Sequence, residues 1–180
     1  EFYQGKYILL ATGAKASVPP IPGSDLPGVV TSDRILSGKD WNYNRVVIIG
    51  GGVIGVEMAT IFNNLCSQVT IIEKNDHLLG PMDDKVAGEL EEILKAKGIQ
   101  IYCYAVQISI EKEDGLICCA KTAQGEEIRQ KAGIILIATG RKPDLTGLFG
   151  EAIHPEVKDG RLVVDNNFEP SEPGVYAIGD

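Results

Sequence analysis

Apolar residues come in short unbroken runs along much of this chain, and between the runs their spacing becomes helical. Residues 45–57 read RVVIIGGGVIGVE: four apolar side chains run straight into three glycines, and a fourth glycine follows after two more residues. That is the pattern of strand, tight turn and helix, with a strand buried on both faces. Residues 68–73 (QVTIIE) are a second such strand and residues 134–140 (IILIATG) a third. Residues 7–13 (YILLATG) and 175–180 (VYAIGD) are also strand-like runs that end in small residues and glycine.

Helical spacing appears twice. Val53, Val56, Ala59, the Thr60 methyl and residues 62–65 suit a helix packed on a sheet. Its end has no glycine, so either an asparagine or Cys66 must take a positive φ there. Asp83 is the expected N-cap of the next helix. In it Val86, Leu90, Ile93 and Leu94 form the apolar face, and Gly98 closes it. Lys85, Glu89, Glu92, Lys95 and Lys97 should be its solvated face. Residues 99–102 return to strand, and 106–110, 116–121 and 126–129 read as antiparallel strands turned at Asp114-Gly115 and Gln124-Gly125. Such a meander can cross back over the sheet in place of a third helix. Residues 14–28 (AKASVPPIPGSDLPG) read as a linker, 31–37 as a short helical turn, and Asp40 as the start of the central domain. The expected fold is α/β: a Rossmann-like parallel sheet with an antiparallel β-meander crossover over residues 40–155.

Composition narrows the function classes. At 180 residues the chain has room for one good core with appendages. With 17 Lys and Arg against 25 Asp and Glu, net −8, there is no basic stripe for a nucleic-acid backbone. No apolar run is long enough to cross a bilayer, and the first residues lack a signal-peptide pattern. No nucleic acid and no membrane partner is expected, and a cytoplasmic location is. Cys66, Cys103, Cys118 and Cys119 make no C-x-x-C pair, and His77 and His154 stand far from them, so no metal site is expected. Neighbouring Cys118 and Cys119 should point to opposite faces of a strand and stay free thiols.

The chemistry concentrates at the first turn. Gly50, Gly52 and Gly55 have the G-x-G-x-x-G spacing: a sharp turn, close approach of a pyrophosphate to the backbone, and close packing of helix on strand. The helix from Val53 would offer its N–H groups and dipole to phosphates. Glu73, eighteen positions after Gly55, stands near the offset at which an acid accepts both hydroxyls of an adenosine ribose and repels a 2′-phosphate. NAD is therefore expected over NADP, although Lys74 sits beside it. A plain tight turn is the alternative reading of the glycines.

YILLATG, PPIPG, IIGGGVIGVE, VTIIE, ILIATGRKPD and VYAIGD, in that order, resemble the pyridine nucleotide-disulfide oxidoreductases over nearly the whole chain. The resemblance is greatest to the dihydrolipoamide dehydrogenase branch. It implies that Gly50, Gly51, Gly52, Val53, Ile54 and Gly55 hold the NAD pyrophosphate and Glu73 the ribose. Val106 would line the adenine pocket, and Ala138, Thr139, Gly140 and Arg141 would lie over the nicotinamide side. Glu57 would be the catalytic glutamate that places the nicotinamide against the flavin. Asp180 would meet the ribityl chain of FAD, with Thr12 and Gly13 near the FAD pyrophosphate. The implied partners are NAD(H), the remainder of its own flavoenzyme chain, a second copy as a homodimer, and a 2-oxo acid dehydrogenase or glycine cleavage complex.

Departures from the family pattern are as informative. A second G-x-G-x-x-G, the C-x-x-x-x-C disulfide and the His-Glu pair are missing here, and Cys66 stands where the family usually has glycine. The expectation is a central NAD-binding domain, with residues 1–39 as FAD-domain remnant and linker and 156–180 as the return into that domain. By itself it should lack dithiol turnover. Its strand-like flanks should pair with each other, be mobile or associate with another copy. A NADH oxidase, a mercuric or a glutathione reductase-like enzyme is the alternative within the family. A nucleotide-sensing or regulatory module, or a structural domain with a degenerate site, is the alternative outside it.

Overall fold

The computed structural model describes residues 4–38, 41–150 and 153–180, so the expected domain start at Asp40 lies outside the described residues. The chain divides into two compact units, Ala16–Gly140 and the pair of segments Glu1–Lys15 and Arg141–Asp180. These divisions fall elsewhere than the expected boundaries at 39/40 and 155/156.

The smaller unit contains β1 (Ile8–Leu10) and begins β2 (Ala14–Ala16). The larger unit opens with β3 (Val29–Thr31) and α1 (Ser32–Ser37). Next come β4 (Arg45–Ile49), α2 (Val53–Asn64), β5 (Gln68–Ile72), α3 (Asp84–Ala96) and β6 (Gln100–Tyr102). The meander is β7 (Ala105–Glu113), β8 (Gly115–Thr122) and β9 (Glu127–Ala132), and β10 (Ile134–Ile137) closes the unit. The smaller unit resumes with β11 (Arg141–Pro143), β12 (Val157–Lys158), β13 (Arg161–Leu162) and β14 (Val175–Ala177).

In the larger unit the sheet order is β3-β10-β4-β5-β6, parallel throughout, with β7-β8-β9 as a separate antiparallel sheet. The unbroken apolar runs make sense because both faces of this sheet are covered. Val46, Ile48, Val69, Ile71, Ile134 and Leu136 pack on one face with Val56, Ala59 and Phe62 of α2 and Leu94 of α3. Val47, Ile49, Ile72 and Ile135 pack on the other with Ile110, Leu116, Cys118, Ala120 and Ile128 of the meander. Each large side chain fully buried this way contributes roughly 1.5–3 kcal/mol. Trp41 and Tyr43 add aromatic contacts to Phe62, with ring centroids 5.6 and 6.2 Å apart.

Several local expectations are corrected. Residues 14–28 are not a loose linker: Ile110 N donates to the Pro22 carbonyl at 2.8 Å, and Ile21 and Leu26 pack against the meander-side core. Directly after them, β3 joins the main sheet. On α2, Val53 and Leu65 are exposed and Met58 is buried instead. On α3, Leu90 and Leu94 pack on the core as expected, but Val86 and Ile93 are exposed and Ala87 is buried instead. Asp83 is the N-cap, its carboxylate accepting from the Lys85 and Val86 amides. Cys66 is the residue that takes the positive φ, 65°, after α2. Cys118 is buried, Cys119 half-buried, and all four cysteines are free.

In the smaller unit β1 pairs in parallel with β14, the first of the outcomes expected for the flanks. Tyr7 meets Tyr176 edge to face at 6.1 Å. β12 and β13 form an antiparallel hairpin, and β11 pairs with β2.

Candidate functional site

The turn from β4 into α2 is built by glycines with different duties. Gly50 has φ +109°, and a Cβ there would lie 2.5 Å from the Ala138 carbonyl oxygen. At Gly55 a Cβ would run into the Gly50 carbonyl oxygen, which is how closely α2 packs on its own turn. Gly52 is different, because nothing lies within 4 Å of the place its Cβ would occupy. Gly52 is also the N-cap of α2, has no side-chain cap and is followed by no acid in the first turn. Open space and the positive end of a helix dipole thus coincide, as an approaching diphosphate requires.

Gly51 carries a constraint of its own. The space a Cβ would take there is filled by the Leu78 side chain, and its amide donates to Glu73 Oε2 at 2.5 Å. Glu73 stands just past β5, 6% exposed, and its Oε1 accepts from the Asn75 amide at 2.8 Å. A carboxylate has about four lone-pair directions. It can therefore hold both amides and still accept from hydroxyl groups, while its charge opposes a phosphate.

Gly50, Gly52, Glu73 and Asn75 line a cleft of about 790 Å³. Of the expected site residues, Gly50, Gly52, Val53, Ile54, Glu73, Val106, Ala138, Thr139 and Gly140 border it. Gly51 and Gly55 are buried beneath it. Glu57, exposed one turn into α2, does not line it, and neither does Arg141, which lies in β11 of the smaller unit. A dinucleotide fits what is present: open backbone at Gly52, a hydroxyl-accepting carboxylate at Glu73, and apolar walls at Ile54 and Val106.

Other cleft residues had weak signals or none in the sequence. Pro19, Pro20 and Ile21 form one wall, and Thr139 Oγ1 donates to the Ser17 carbonyl at 2.9 Å beside it. Two adjacent prolines with an apolar neighbour were the available hint. Gln107 takes φ 52° where β7 loses register with β8 between Val106 and Ser109, and no residue pattern announced that bulge. Asn75, Gly80 and Pro81 close the cleft beyond Glu73.

Within that loop, the hydrogen bond to the Leu78 carbonyl, then Asp76, Asp84 and Glu91, raise the pKa of His77 above 6.5 against the opposing effect of burial. Burial first, then the charges of Glu91 and Glu73, push the Cys103 thiol up to about 12. No group of three potential metal ligands occurs among the described residues. No described helix is long and apolar enough to cross a membrane.

Within the smaller unit, Thr12, Gly13, Arg141 and Asp180 line a cleft of about 650 Å³. Thr12 Oγ1 donates to the Asp144 carbonyl at 3.0 Å, and the Arg141 guanidinium donates to the Ala14 carbonyl. The Lys15 ammonium, 2.9 Å from Asp144, and the Thr146 hydroxyl and amide hold the Asp144 carboxyl below its usual range.

A family model described as pyridine nucleotide-disulphide oxidoreductase matches residues 1–180. Dihydrolipoyl dehydrogenase of Acholeplasma laidlawii is 37% identical over 185 residues, a match covering all of this chain and 53% of that protein. Mercuric reductase of Bacillus cereus is 34% identical over 97% of this chain and 28% of its own length. Among solved structures, the Cu(II) complex of the HOCl-induced flavoprotein disulfide reductase RclA from Escherichia coli superposes with a TM-score of 0.85 at 33% identity. That match covers 98% of this chain and 39% of RclA. The chain thus spans about half, or less, of the relatives it matches.

Proposed function

The chain belongs to the pyridine nucleotide-disulphide oxidoreductase family, and from that premise we propose that its larger unit is the NAD(H)-binding part of a flavin-dependent dithiol/disulfide oxidoreductase. The observation that carries this reading is the division of labour among the glycines. Gly50 and Gly55 are filled in by the protein's own backbone, while Gly52 faces open space at the cap of α2, across from Glu73.

The chain's residues bind and orient. Gly52, Val53 and Ile54 receive the pyrophosphate on backbone N–H groups, Glu73 accepts the adenosine ribose hydroxyls, Val106 flanks the adenine, and residues 138–140 border the nicotinamide end. Glu57 is assigned to placing the nicotinamide ring, and Thr12, Gly13 and Asp180 to an FAD site that this chain contributes only in part. When bound, nicotinamide and flavin together supply hydride exchange, coupled to a disulfide. Dihydrolipoamide is the substrate we favour, on the motif resemblance and the relative from Acholeplasma laidlawii. Cytoplasmic location, homodimerisation and membership of a 2-oxo acid dehydrogenase or glycine cleavage complex complete the proposal.

Calorimetric titration with NADH and NADPH tests the reading. NADH should bind the tighter of the two, because Glu73 presents negative charge where the 2′-phosphate would sit. Equal or tighter binding of NADPH would overturn the assignment of Glu73, and no binding of either would overturn the site.

A further inference from the structure

α3 buries one carboxylate that neither helix propensity nor the nucleotide motif accounts for. Glu91 lies on the inward side of the helix with Ala87 and Leu94, and its side chain is 13% exposed. Placing a charge on such a face is costly unless donors meet it. Three do: the Leu78 amide to Oε1 at 2.9 Å, Lys95 Nζ at 3.3 Å from Oε2, and the Cys103 thiol at 3.8 Å from Oε1. Lys95 is the ordinary partner one helical turn away. The Leu78 amide is not, since it belongs to the irregular loop over residues 74–82.

The N-terminal end of that loop is held by its own backbone, the Asn75 amide donating to Glu73 Oε1 and the Tyr104 amide to the Asn75 carbonyl, each at 2.8 Å, whereas the Leu78–Leu79 end depends on fewer contacts. Leu79 takes a left-handed φ of 54°, a conformation a leucine keeps only when its surroundings fix it. Its amide donates to the Gly51 carbonyl at 2.9 Å. The Leu78 side chain, fully buried, fills the space against Gly51. From there the loop runs to Gly80 and Pro81, which wall the cleft together with Lys74 and Asn75. One carboxylate on α3 therefore fixes the backbone point at which the loop plugs into the underside of the glycine turn.

We propose that Glu91 is a positioning residue of the nucleotide site: by holding the Leu78 amide it seats the 74–82 loop beneath Gly51 and so sets affinity for the adenosine half of the dinucleotide. This rests on the NAD(H) reading above. Local opening that frees Leu78 would withdraw Gly80 and Pro81 from the cleft, so binding and the Leu78 hydrogen bond are thermodynamically linked.

The test compares Glu91→Leu, which removes the acceptor, with Glu91→Gln, which keeps an oxygen for the amide and discards the charge. NADH and AMP are titrated by calorimetry against the full chain, and amide exchange is followed at Leu78. Glu91→Leu should weaken both ligands roughly tenfold, the affinity equivalent of one hydrogen bond, and speed exchange at Leu78. Glu91→Gln should restore both readouts, which a merely structural loss of a buried side chain would not do. In the unsubstituted chain, saturating NADH should slow Leu78 exchange, a measurement that stands even if Glu91→Leu does not fold. Unchanged affinity in Glu91→Leu, a Gln variant as impaired as the Leu variant, or Leu78 exchange indifferent to bound NADH would each overturn the role of Glu91. An unsubstituted chain that binds neither NADH nor AMP would instead refute the nucleotide reading on which it rests.

Discussion

Among the glycines of the turn, space separates binding from folding. Gly55→Ala forces a methyl into the Gly50 carbonyl and should cost about 1–3 kcal/mol of stability, read as a lower denaturation midpoint. Gly52→Ala meets nothing within 4 Å and has a φ of −72° that alanine adopts freely, so the midpoint should stay put. Its methyl would nevertheless project where the pyrophosphate approaches, and NADH affinity should collapse. If both variants lost stability alike, the open space at Gly52 would not be what it is taken for. The buried thiols give a pH dependence. Burial pushes both Cys103 and Cys118 from an ordinary 9.0 to about 12. Between those values the unfolded chain releases protons that the folded chain keeps, so stability must fall as pH rises and level off near the upper value. Cys118→Ala should flatten that alkaline slope in denaturant titrations run at several pH values, and an unaltered slope would contradict it.

Elements repeat the lesson at a larger size. α2 leaves through Cys66 in a left-handed conformation that costs a non-glycine residue about 1 kcal/mol, and Cys66 is exposed, so no packing opposes replacement. Cys66→Gly should raise stability by about 1 kcal/mol in chemical denaturation, and a lower midpoint would mean the thiol has a role not visible in its contacts. That exit was readable because the helix ended with no glycine available to it. The α3 cap at Asp83, the closing glycine and the crossover meander were readable for the same reason: their determinants lie within a few residues. The inward face of α3 was readable in part. Leu90 and Leu94 lie inward as their spacing requires, but Val86 and Ile93 fit the periodicity as well as the buried Ala87 does, and only packing on the sheet decides between them. β3 left no signal because three residues between a proline-rich stretch and a short helix carry no period, and Glu91 none because its partner Leu78 is thirteen positions away. Glu73 was legible as an acid eighteen positions after Gly55, but the amides it accepts from belong to two separate segments, at Gly51 and Asn75, whose meeting the sequence alone does not announce.

At the scale of the whole molecule, stability should be uneven. The central sheet is covered on both faces, whereas Ile8 and Leu9 of β1 remain more than half exposed although β1 is paired with β14. Hydrogen exchange should therefore be slow at Val46–Ile49 and Ile134–Ile137 and fast at Ile8–Leu10 and Val175–Ala177. Equal protection in a monomeric sample would show the smaller unit to be a finished structure and remove the case for reading it as part of a larger flavin domain. The covered sheet has a further consequence for how the sequence can vary. Val47, Ile49 and Ile135 answer to the meander, while Val46, Ile48 and Leu136 answer to α2 and α3, and among the described residues no buried side chain belongs to both cores. Adjacent letters in a strand are thus drawn from separate alphabets. Substitutions on opposite sides of the sheet should combine additively, those on one side should not, and drift in one half of this domain can proceed without consulting the other.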